Sequence, residues 1–119
     1  MNPTSTTDHP RAAWYPLDWI TAEQFVEARR LVNAIVKTTR TAINHAVRTG
    51  TDEQAALHHR AKLNAGNKYA TALHQRTDEL AQAWTDITAA ASAMGVARDE
   101  AARLAEIRSE MLNNREVAL

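Results

Sequence analysis

Residues 51–94 read TDEQAALHHRAKLNAGNKYATALHQRTDELAQAWTDITAAASAM. Ala56, His59, Leu63, Gly66, Ala70, Leu73, Thr77, Leu80, Trp84, Ile87, Ala91 and Met94 follow one another at alternating steps of three and four. That rhythm places them on one stripe of a helix. No proline interrupts the run, so the periodicity predicts one continuous helix over 52–94. Asn64-Ala65-Gly66-Asn67 is its weak point, because Gly and Asn are poor helix formers. The small residues there could mark a kink or a close approach of two backbones, and continuity is the expectation. A helix this long cannot bury its stripe alone, so the flanking segments must pack on it.

The preceding segment supplies a first helix over about 21–49. Thr21 followed three residues later by Gln24 forms a capping box, and Ile20 with Phe25 forms a hydrophobic staple. Phe25, Ala28, Val32, Ile35, Thr39, Ala42 and Ala46 make its seam, widened by Val36, Ile43 and Val47. Gly50 stands where a helix C-terminus takes a left-handed residue. Thr51 and Gln54 repeat the capping-box pattern at once, with Asp52 and Glu53 suited to a positive helix end. A stop and a start so close predict an antiparallel hairpin. Gly95 then ends the long helix. A third helix, about 97–115, turns Ala101, Leu104, Ile107 or Arg108, Met111 and Leu112 inward and folds back towards Arg76. The expected fold is all-α: an antiparallel hairpin of two long helices plus a shorter third, bundle- or coiled-coil-like.

Residues 1–13, polar with Pro3 and Pro10, read as a flexible arm before a single helical domain over 14–119. Trp14-Tyr15-Pro16-Leu17-Asp18-Trp19-Ile20 holds three of the six aromatic residues. Pro16 discourages helix at Tyr15, so this stretch reads as an extended strap over the helices or as an anchor for a partner.

Composition narrows the chemistry. The chain has no cysteine, which removes disulfides, thiolate metal sites and a thiol nucleophile. The three glycines are isolated, so no phosphate-cradling loop is present, and no histidine flanks Ser5, Ser92 or Ser109. No His-Glu-x-x-His or Glu-x-x-His pattern occurs, although His45, His58 and His59 lie on either side of the Gly50 turn. No apolar run approaches a membrane span, and residues 1–8 lack the pattern of a secretory signal. The expectations are no cofactor, no metal, no membrane and a cytoplasmic location, with signal-less export left open.

Charge is balanced overall, with 14 Lys and Arg against 14 Asp and Glu, but it is segregated. Residues 29–76 hold nine basic residues against Asp52 and Glu53 alone, while residues 77–119 hold eight acids against four arginines. Lys62, Tyr69 and Arg76 lie seven apart on one flank of the stripe, and Arg60, Asn67 and His74 on the other. Arg30, Lys37 and Asn44 form a third row on the first helix. Arg30, Lys37, Arg40, Arg60, Lys62, Lys68, Tyr69, His74 and Arg76 are therefore the candidate binding residues of a basic arm. Such rows suit an acidic protein face, including that of a second copy, or the phosphates of a nucleic acid. Four of the five histidines also fall in residues 45–74, so protonation would raise the charge of the arm.

Arg40-Thr41-Ala42-Ile43-Asn44-His45 resembles the Arg-x4-His motif of the HEPN ribonucleases, which are small, all-helical and usually dimeric. The resemblance implies that Arg40 and His45 act on an RNA backbone. The residues themselves lead first to a non-catalytic interaction or assembly protein. Its basic arm would bind an acidic protein or a second copy in a helical dimer. Nucleic-acid binding comes second, and RNA cleavage third.

Overall fold

The computed structural model describes residues 19–70 and 76–118. Arm residues 1–13, most of the expected aromatic strap and His74 lie outside them. Among the described residues the chain is all-helical, with four helices: α1 (Ala22–Thr49), α2 (Glu53–Ala70), α3 (Thr77–Met94) and α4 (Arg98–Ala118). They pack into an elongated bundle of 59 × 22 × 20 Å.

The expected helix over 52–94 is corrected to two helices that lie against each other. Lys62 reaches Asp86 at 3.6 Å. A Cβ placed on Gly66 would meet the Ala83 carbonyl oxygen at 3.0 Å and Ile87 Cγ1 at 3.1 Å. In one straight helix Gly66 and Ala83 would stand about 25 Å apart. α2 and α3 are thus antiparallel neighbours, and the stripe is folded onto itself. Ala56, Leu63, Gly66 and Ala70 are buried on α2, and Leu80, Trp84, Ile87 and Ala91 on α3. Helix is continuous through Asn64–Asn67, as expected, and Gly66 serves the close approach.

The periodicity missed the break for a physical reason. The three-four rhythm keeps its phase from Ala70 through Thr77, and buried residues on two facing helices obey the same spacing as one long stripe. Arg76, the N-cap of α3, makes no side-chain capping bond, so no capping signature announces the new start.

α1 spans both halves of the bundle and touches α2, α3 and α4. Its start follows the expectation. Thr21 Oγ1 accepts from the Gln24 amide and Gln24 Oε1 accepts from the Thr21 amide, both at 3.1 Å, and Ile20 and Phe25 are both buried. Its end is a Schellman turn. Gly50 lies at φ 72°, its amide donates to Val47 O, and the Thr51 amide donates to Ala46 O. The second capping box is corrected: Thr51 belongs to this turn, and its hydroxyl pairs with that of Thr49 at 3.0 Å. Two motifs claimed adjacent residues, and closure of α1 prevailed.

α4 folds back on α3 and α1 and buries Leu104, Ile107 and Met111. Arg103 clamps Glu27 of α1 with two bonds of 2.9 Å. The guanidinium bonds hold the Glu27 carboxyl below its ordinary pKa and raise that of Arg103. Arg115 reaches Asp78, Arg108 reaches Thr85, and Asn114 donates to Trp19 O at 3.0 Å. No described helix is long and apolar enough to cross a membrane.

Candidate functional site

The fold divides the three basic rows. Those of Arg60 and Lys37 meet across the α1–α2 junction. There Asn33, Val36, Lys37, Arg40, Thr41, Asn44 and Asn67 line a groove of about 360 Å³. Its charged lining is Lys37 and Arg40, and no carboxylate contributes to it.

Two reciprocal bridges cross this junction. Arg40 of α1 donates through Nη2 to Asn64 Oδ1 of α2 at 2.9 Å. Arg60 of α2 donates through Nη2 to Asn44 Oδ1 of α1. Each arginine therefore has an orienting partner that carries no charge. Elsewhere Arg103 is met by Glu27 and Glu106, Arg115 by Asp78 and Lys62 by Asp86, all carboxylates, while Arg108 reaches the neutral Thr85 hydroxyl. An amide acceptor fixes a guanidinium while leaving its charge and its remaining N–H donors for another acceptor.

The third row fares differently. α2 does not stand covered by α1 alone, as expected for an isolated arm, because α3 lies along its other side. Lys62 is turned to Asp86 at 3.6 Å. Tyr69, 48 % exposed, borders a separate groove of about 480 Å³ with Asp78, Glu79, Gln82 and Asp86. Lys68 Nζ stands 5.8 Å from the Tyr69 ring centroid, within range of a cation–π contact. Arg30 and Arg76 are exposed, and neither lines the α1–α2 groove.

Asn64 is absent from the candidate set although it orients Arg40, and Asn33, Thr41, Asn44 and Asn67 are absent although they line the groove. A signal for them existed. Asparagine is a poor helix former, and Asn33, Asn44, Asn64 and Asn67 all sit inside α1 and α2.

Arg40 and His45, the pair of the ribonuclease-like motif, are both exposed. Five residues along a helix put them about 140° apart, and Arg40 is turned to Asn64. His58 and His59 meet edge to face at 5.5 Å. Among the described residues no group of three or more His, Asp or Glu side chains is placed to hold a metal ion. No family model, curated protein or solved structure matches the chain.

Proposed function

We propose that the chain is a non-catalytic helical binding protein whose basic α1–α2 face engages an acidic surface of a partner protein. One observation carries this reading: a groove lined by Lys37 and Arg40, with Arg60 bonded to the lining Asn44, and with no carboxylate in the lining. A protein partner ranks ahead of nucleic acid because Tyr69, the exposed aromatic of this half, borders the α2–α3 groove beside three carboxylates. That ring does not line the groove of Lys37 and Arg40, and single-strand recognition draws much of its affinity from stacking on aromatic rings. An external partner also ranks ahead of a second copy. The thin arm that called for a second copy is already packed along α3 within the chain.

The test is fluorescence anisotropy with labelled polyglutamate and with labelled duplex and single-stranded oligonucleotides, at low and moderate salt. Salt-sensitive polyglutamate binding that disappears in Lys37→Glu with Arg40→Glu supports the reading. Tighter binding of an oligonucleotide through the same residues transfers the function to nucleic acid. No binding of any polyanion at low salt removes the reading.

A further inference from the structure

We infer that the α1–α2 face receives a helix of the partner and reads carboxylates spaced one turn apart on it, with Arg40 of the groove lining and Arg60, which reaches the lining Asn44 from α2, as the two recognition points. This rests on the proposed function and names the chemistry it recognises. The two cross-helix bridges, Arg40 to Asn64 and Arg60 to Asn44, each pair residues on α1 and α2. Arg40 precedes Asn44 by four residues on α1, and Arg60 precedes Asn64 by four on α2. The bridges are therefore separated by about 6 Å along both helices. Acidic side chains at i and i+4 of a partner helix have nearly that separation.

Each guanidinium is oriented before the partner arrives, since its asparagine uses donor capacity without neutralising it. Little side-chain ordering then remains to be done on binding, which favours affinity. The fork geometry of a guanidinium matches a carboxylate bidentately. Lys37, one turn before Arg40, adds a point charge at the groove wall. Asn44 and Asn64 act as positioning residues.

The experiment uses the full chain and two alanine-based helical peptides about 20 residues long, enough for helix in isolation. One carries glutamates at i, i+4, i+7 and i+11 along a single face. Its isomer has the same composition with glutamates scattered around the helix. A single-stranded oligonucleotide of equal charge is the third probe, and circular dichroism melting checks that each variant remains folded.

The expected result is preference for the one-face peptide, with at least about tenfold loss in Arg40→Gln with Arg60→Gln, as two charge-assisted bonds require. Asn44→Ala with Asn64→Ala weakens binding less and leaves its salt dependence unchanged, because the charges remain and only their placement is lost. A merely structural role for the asparagines would lower the melting temperature and leave the affinity unchanged. Equal binding of the two isomers overturns the helix-face inference while sparing the broader acidic-partner reading. Preference for the oligonucleotide overturns both. Concentration-dependent self-association abolished by the arginine variants overturns the external partner in favour of a second copy.

Discussion

Gly66 shows how one side chain sets the distance between two elements. Its missing Cβ leaves room for the backbone of α3, with Ala83 O only 3.0 Å from where that atom would lie. Valine there is expected to destabilise the fold by about 1–3 kcal/mol in urea unfolding, the cost of overpacking a tight contact. Alanine should cost less, since it recovers about 1 kcal/mol of helix propensity. Ala97 presents the opposite case. It adopts φ 54° immediately before α4, a left-handed conformation that disfavours a Cβ. Ala97→Gly is expected to raise stability by up to about 1 kcal/mol in the same assay. Thr21→Ala, which breaks the observed capping box, should lower it by about 1 kcal/mol. Of these three positions the sequence announced the cap, because capping depends on residues three apart, and at Gly66 it offered a close approach of backbones beside a kink. The fit at Gly66 and the strain at Ala97 depend on what the chain brings near them.

At the scale of elements, α2 and α3 carry the main correction. A stripe that repeats at three and four describes which residues are buried, and it described them well: Leu63, Leu80, Trp84, Ile87 and Ala91 are all buried. It could not say whether their burial comes from neighbours on other segments or from the run folding back on itself. The chain lacks cysteine, so spin labels at Lys62→Cys and Asp86→Cys report this directly. A short distance is expected, whereas one continuous helix would hold the positions about 36 Å apart. α1 was legible almost residue by residue. It has an apolar face distinct from a polar one, a capping box at its start and a glycine at its end, and each signal is local.

Over the whole molecule, charge organises what packing leaves exposed. The Glu27–Arg103 clamp ties α4 to α1, the sequence-distant pair that closes the bundle. The bond to Arg103 depresses the folded-state pKa of Glu27 below the ordinary value of 4.5. Its stabilising contribution is therefore complete above that value and is lost as pH falls through the lower folded-state value. Melting temperatures recorded between neutral and strongly acidic pH should fall on the acid side. Glu27→Gln should be less stable at neutral pH and should show a smaller acid-side loss. The fold also alters the argument for a dimer. That expectation arose from a thin two-helix arm in need of cover, and α3 supplies much of the cover within the chain.

Local chemistry in the sequence determined the helical class, the start and end of α1, the inward face of α4 and the segregation of basic from acidic residues. Each follows from spacing, capping or side-chain charge within a few turns. The tertiary structure decided which basic residues keep their charge available. Lys62 is turned to Asp86 of α3, while Arg40 and Arg60 were given asparagine partners that orient them without neutralising them. Sequence spacing could not assign those partners, because a pair's electrostatics depends on which helices meet and in what register: the α1–α2 hairpin sets the arginine–asparagine pairs, and the reversal between α2 and α3 sets Lys62 against Asp86.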